Sequence, residues 1–213
     1  MTSPGHILPT PKQARSALST SRLLDAAAEL IAEGGYDRMT LAAIGERAGY
    51  SHGLVSGRFG SKEGLLWALI DRMVNDWRES LLLPAVGDTT GAEALHTMLN
   101  ALHDSWQRIP ARMRALSGLM FEALLPVPIL HHHVAQLHRE LRRSVQDTVE
   151  GGIADGSVGE ATDAAAVSRL LVGALRGAVY QALLDPEGLA IKQALADVHT
   201  LVDVLLPHPD PKR

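Results

Sequence analysis

Apolar residues recur at three- and four-residue steps along most of the chain, in stretches cut by Pro, Gly and helix-capping residues, and no run of Val, Ile or Thr alternates with polar residues. A step of that size lines one face of an α-helix and leaves a half-buried strand no consistent side, so the expected fold is all-α. The first helix is expected over residues 17–33, with Leu24, Ala27, Ala28 and Ile31 on its buried face and Gly34-Gly35 as its stop. Thr40 then caps a two-turn helix over 41–48, Gly49 breaks it, and a second short segment reaches Phe59. Ser61 caps a longer helix whose stripe is Leu65, Leu66, Leu69, Ile70 and Met73, with Pro84 as its end. Further helices are expected over 92–108, 111–125, 129–151, 163–184 and 186–206, with Thr162 and Asp185 as the clearest caps.

Composition narrows the class. Of 213 residues, 46% are apolar and 21% charged, enough to build a core and too apolar for a disordered chain. The absence of cysteine excludes disulfides, thiolate zinc sites and a cysteine nucleophile, and fits a cytoplasmic location. The longest apolar stretch, residues 170–184, is interrupted by Arg176 and Gln181 and falls short of the roughly 18–20 residues of a membrane span. No membrane partner is expected. Residues 1–16 carry three prolines and no apolar run, so they read as a flexible arm rather than a secretory signal, and 207–213 as a flexible tail. The net charge of −4 conceals +1 over residues 1–63 and −5 over the remainder.

The segment from Thr40 to Phe59 is the most informative. A short capped helix, a glycine turn and a second short helix bearing Ser51, His52, Ser56 and Arg58 read as a helix-turn-helix, while Ile44, Ala48, Leu54, Val55 and Phe59 hold it against its neighbours. One helix of such a pair rests across the DNA backbone and the other enters the major groove. A plain helical hairpin in a bundle satisfies the same spacing.

Further residues separate the two. The run Leu23-Leu24-Asp25-Ala26-Ala27, then Gly34-Gly35-Tyr36-Asp37, Thr40, Ala48-Gly49-Tyr50-Ser51, Gly53 and Phe59-Gly60-Ser61-Lys62-Glu63-Gly64-Leu65 together resemble the tetracycline-repressor (TetR) family. The resemblance implies an all-α homodimer with an N-terminal helix-turn-helix domain, here residues 17–63, and a larger helical domain, here 64–206, that binds a small-molecule effector and releases the DNA operator. It implies that Thr40 and Lys62 meet phosphates and that Ser51, His52, Gly53, Ser56, Gly57 and Arg58 enter the groove. Helix N-termini at Thr40 and Ser61 suit an anion, and Lys62 adds a full positive charge there.

The chain departs from the family pattern at Ser56-Gly57-Arg58, where the family carries aromatic residues. Gly57 weakens a helix by about 1 kcal/mol relative to Ala, so this helix is expected to order fully only on DNA. Arg58 is the expected bidentate partner of guanine, with contact to phosphate as the alternative. Lys12 and Arg15 either reach the DNA from the arm or make no contact.

In the second half, Val167, Leu170, Leu171, Ala174 and Ala178 form one apolar stripe, and Ala194, Val198, Leu201, Val202 and Leu205 another. With the resemblance, these stripes are expected to form a four-helix dimer interface. Gly173 and Gly177 mark either close helix approach there or the ligand cavity. Trp77, Trp106, Met113, Leu116, Met120, Phe121, Leu124, His133 and Leu137 are the candidate lining of a pocket for an apolar or amphipathic effector.

Three patterns fail in context. Gly49-Tyr50-Ser51-His52-Gly53 fits a hydrolase nucleophile elbow but lacks the strand that must precede it. Gly60-Ser61-Lys62 reverses the order of a phosphate-binding loop. His131-His132-His133 points its imidazoles about 100° apart on a helix, so no metal and no cofactor are expected. The function expected is that of a ligand-responsive DNA-binding repressor of a palindromic operator, and not an enzyme; the alternative is a helical small-molecule-binding protein whose head no longer reads DNA.

Overall fold

The computed structural model describes residues 10–79, 86–124 and 128–207. Residues 1–9 of the expected arm, the stop at Pro84, Leu125 and residues 208–213 of the tail lie outside them, as does the side chain of Trp77. Among the described residues there are nine helices and no strand: α1 Pro11–Arg38, α2 Leu41–Ala48, α3 His52–Phe59, α4 Lys62–Trp77, α5 Gly91–Arg108, α6 Pro110–Glu122, α7 Pro128–Asp155, α8 Ala164–Leu184 and α9 Ile191–Leu205. The chain divides into two compact units between Asp71 and Arg72, further along α4 than the expected boundary at 63/64.

In the first unit, α1 begins six residues earlier than its apolar stripe announces. The Thr10 hydroxyl accepts from the Gln13 amide while the Gln13 side chain accepts from the Thr10 amide, and Pro11 occupies the first helical position. Residues 11–16, expected in the arm, are therefore helical. At the other end Gly34 and Gly35 leave helical geometry at the expected stop, Gly35 with φ +76°, and a further turn beyond this kink runs to Arg38 with Tyr36 buried. The expected stripe is buried, joined by Leu23, and meets buried Ile44, Val55, Leu65, Leu66 and Leu69 as the unit's core. Leu54, expected to pack with them, is 37% exposed.

The turn between α2 and α3 depends on glycine twice. Gly49 sits at φ +76°, the left-handed region, and ends α2. The Tyr50 amide then donates to the Gly45 carbonyl at 2.8 Å, and this fold-back brings the Tyr50 carbonyl to where a Cβ on Gly45 would lie only 2.8 Å away. Arg47 ties α2 to α1 by paired bonds to Glu33 at 2.8 and 2.9 Å and a third to Glu29 at 3.3 Å. The Arg47 guanidinium holds the Glu33 carboxyl below its ordinary range, but the pair is exposed and adds little stability.

In the second unit, α5 packs on α6, α7 and α9, and α8 lies against α7 and α9. Leu95, Val145, Val149, Leu171, Val172, Val198 and Val202 form its principal core. The buried Ser168 hydroxyl donates to the Arg142 carbonyl at 2.6 Å, which joins α8 to α7 without leaving a polar group unpaired. Asp163, rather than Thr162, caps α8 by accepting from the Ala166 amide at 2.9 Å. Asp185 accepts from the Gly188 amide at 3.0 Å and closes a separate turn, so α9 starts at Ile191 and not at Pro186. By length and composition α8 could cross a membrane, yet it carries Arg169 and Arg176 and packs among the helices of its own unit.

Two glycine substitutions should act in opposite directions. Gly45→Ala drives a methyl group into backbone and should destabilise the first unit by roughly 1–3 kcal/mol. Gly57→Ala meets nothing within 4 Å and should stabilise it by about 0.5–1 kcal/mol. Thermal denaturation of the two variants measures both shifts, and the same sign for both would refute the packing argument.

Candidate functional site

The outer face of α3 is built by its own N-terminus. Ser51, in extended conformation, accepts from the Leu54 amide at 3.3 Å, which fixes the start of the helix and leaves Ser51, His52, Gly53 and Leu54 exposed along one end. Gly57 is also exposed and Ser56 partly so, while the fully buried Val55 anchors the opposite face. Gly57 lies within the helical span of α3. Burial of Val55, the Ser51 cap and a tie from Arg58 outweigh one unfavourable residue.

That tie engages Arg58, the expected partner of guanine. Its guanidinium turns back to α1, where it donates to the Ser16 carbonyl and the Thr20 hydroxyl. Ser16 lies in the extension of α1 toward the N-terminus, and Thr20 in the span already expected to be helical. Thr40 is exposed and caps α2, its hydroxyl accepting from the Ala43 amide at 3.1 Å. Lys62 stands at the start of α4 with its ammonium 3.9 Å from the centroid of the Tyr36 ring, a cation–π contact that holds the charge at the helix end. Glu63 beside it is held below the usual carboxylate range by its own backbone amide and the Ser61 hydroxyl. The sequence marked neither the Arg58 tie nor the exposed Leu54.

The second unit holds a cavity of about 330 Å³ that opens to solvent at one side. Of the candidate lining, Trp106, Met113, Leu116, Met120 and Leu137 face it, with Leu171, Leu175, Val179 and Val198 from α8 and α9. Three candidates do not. Leu124 is 81% exposed, and Phe121 turns outward to pack on Tyr180 at 4.8 Å between ring centroids. His133 is buried in protein away from the cavity, against His132. Missed in the sequence were Ser117 and Arg176, polar residues on otherwise apolar helix faces.

The two stripes expected at a dimer interface divide between inside and outside. Val167, Leu171, Ala194, Val198 and Val202 are buried in the unit's own core, because one helix face cannot serve both core and partner. Ala174, Ala178, Leu201 and Leu205 are partly buried, and Leu170 alone of the set is largely exposed. The outward seam of α8 is instead Leu170, Gly173, Gly177, Tyr180 and Leu184, at alternating steps of three and four. Among the described residues no group of three or more His, Asp or Glu is arranged to hold a metal ion, and His131 lies 3.2 Å from the Ala123 carbonyl.

Two capped two-turn helices joined by a glycine turn, with a polar face outward, define a helix-turn-helix DNA-binding protein. Comparison with known proteins gives the family. Residues 23–69 match the bacterial regulatory proteins of the tetR family, and residues 91–207 match the C-terminal domain of BetI-type transcriptional repressors. The HTH-type transcriptional regulator BetI of Escherichia coli (strain SMS-3-5 / SECEC) is 29% identical over 157 residues, 68% of this chain and 80% of that protein. BetI of Klebsiella pneumoniae (strain 342) is 32% identical over 107 residues, 49% of this chain and 55% of that one. In fold, the chain is similar to SmeT in its complex with triclosan, with a TM-score of 0.76 over 91% of this chain and 93% of that one at 20% identity. A TetR transcription regulator from Haloarcula marismortui gives 0.75 over 89% and 99% at 24% identity. The chain belongs to the tetR family of bacterial regulatory proteins and carries the C-terminal domain of BetI-type transcriptional repressors.

The buried histidine makes a prediction about acid. Burial, and then the neighbouring His132, pushes the His133 imidazole down to about 4 from its ordinary 6.5. As pH falls through 6.5 the unfolded chain takes up a proton that the folded chain refuses, so stability should drop progressively until about pH 4. His138 and His199 are also held low by burial, so the sensitivity is shared. Urea denaturation between those pH values should show a shallower decline in His133→Leu than in the wild type; parallel curves would refute the assignment.

Proposed function

We propose that this protein is a homodimeric, cytoplasmic repressor that holds a palindromic DNA operator through α3 of each subunit and releases it when an apolar or amphipathic effector fills the cavity between α5 and α9. The exposed, capped N-terminal end of α3 carries this reading. It offers His52 and Ser56 as hydrogen-bonding groups for base edges and Leu54 as an apolar surface for a thymine methyl. Thr40, Ser51 and Lys62 serve the phosphates, and Gly53 and Gly57 allow close approach of the groove wall. Arg58, bonded to α1, holds the angle of α3 rather than reading guanine. The DNA-reading domain assigned to residues 17–63 then includes α1 from Pro11, and residues 64–206 carry the effector and dimer functions. A binding protein with a degenerate head is the less favoured reading, because α3 is helical, capped and outward-facing.

The outward seam of α8 supplies the twofold contact, with Gly173 and Gly177 permitting close helix approach between Leu170 and Leu184. Two-fold pairing sets the recognition helices roughly 34–36 Å apart, one turn of DNA, and an effector that alters this spacing releases the operator.

Selection from a random DNA pool should yield a palindrome. Affinity for it should fall by a factor on the order of 10³ or more between about 50 and 200 mM salt. His52→Ala should relax sequence preference, whereas Lys62→Ala should weaken all sequences alike. Arg58→Ala should weaken all sequences and lower thermal stability together; a change of preference at unaltered stability would restore it as a base reader. Sedimentation of Leu170→Glu/Leu184→Glu should show a monomer that no longer holds the palindrome, and a stable dimer would move the interface elsewhere.

A further inference from the structure

The cavity is apolar apart from a few groups, and two of those groups are stranded. Trp106 on α5 and Arg176 on α8 both line it. The indole Nε1 of Trp106 and the Nε of Arg176 are sealed from solvent, and neither has a hydrogen-bond partner. Both side chains donate only, so neither can satisfy the other. A buried donor without an acceptor is costly and uncommon in a folded protein, and two on the wall of one cavity point to an acceptor that arrives from outside.

Charge narrows the acceptor. Three charged side chains reach the cavity: Arg78, Glu140 and Arg176. Arg78 is mostly exposed and lies 3.9 Å from Glu79, and the exposed Glu140 accepts from Gln136 at 2.9 Å, so both are engaged at the rim. Arg176 is the one of the three drawn in from the surface, and no ion pair is formed by it among the described residues. Burial by itself lowers its affinity for a proton, with no carboxylate close enough to offset it. At Arg176 itself a cationic head group would be repelled. One guanidinium neutralises one negative charge, so a dianionic phosphate would keep an uncompensated charge in an apolar site, which is strongly unfavourable. A carboxylate matches both the charge and the planar donor geometry of Arg176.

We infer that the effector is an amphipathic monocarboxylate, its anionic head held by Arg176 and the indole NH of Trp106 and its apolar body lying among Met113, Met120, Leu171 and Val198. This rests on the reading of the cavity as the effector site and gives that site its chemical class. Ser117, on the same wall, adds a buried hydroxyl near the apolar body.

The test uses the full-length protein and three probes with the same alkyl body: decanoate, 1-decanol and decyltrimethylammonium, measured by calorimetric titration and by melting-temperature shift. Decanoate should bind about tenfold or more tightly than decanol, and the ammonium compound most weakly. Arg176→Gln should erase the preference for the acid while leaving decanol affinity unchanged, and Trp106→Phe should reduce the preference severalfold while keeping the apolar wall. Each variant's melting temperature without ligand shows that it is folded. Equal binding of acid and alcohol, or tightest binding of the ammonium compound, overturns the inference while the cavity remains an effector site. Failure of all three probes to bind overturns the cavity reading and the inference with it. Preference for the acid that survives Arg176→Gln also overturns it.

Discussion

A helix of two turns does not persist in water by itself, since nucleation costs more than so few hydrogen bonds return. Helices α2 and α3 are both that short, and α3 carries two glycines besides. They exist because Ile44 and Val55 are withdrawn completely from solvent and because the fold-back of Tyr50 over Gly45 fixes the angle between them. The ability to read DNA therefore depends on a core made elsewhere, in the long helices α1 and α4 that supply Leu23, Ile31, Leu65 and Leu69. Packing of this kind is rigid on one side and open on the other, and the open side carries His52 and Ser56.

The second unit applies the same physics to a different end. Its helices bury Leu95, Val149, Val172 and Val202 tightly, yet leave a cavity where Met113, Met120 and Leu175 fall short of filling the space. An empty apolar volume and unpaired donors both cost stability, and a chain selected for stability alone would close the first and omit the second. Under the proposed reading both persist in one place because an effector completes them. Arg176 gives the site a sign of charge that the apolar walls by themselves lack.

Much of this was legible from residue order. The three- and four-residue apolar step, the cap at Thr40 and the breaks at Gly49 and Pro110 place α2, α3, α5 and the start of α6 closely, since each signal acts within one turn of helix. The start of α1 was hidden because its first turns carry no apolar stripe, although Thr10, Pro11 and Gln13 spell a capping box. Asp185 reads as a helix cap but closes a turn, a distinction made by the backbone of Gly188 and Leu189 rather than by Asp185 itself.

Residue order by itself determined that the chain is helical and where the helix-turn-helix lies, because helical period and capping are local properties. Tertiary structure decided which of two apolar faces on α8 turns inward, that Arg58 is held by Ser16 and Thr20 and that Arg176 and Trp106 reach the same cavity without partners. Those facts join residues dozens of positions apart. No periodicity encodes such pairings, since they depend on how whole helices cross and on which polar atoms the crossing leaves unmatched.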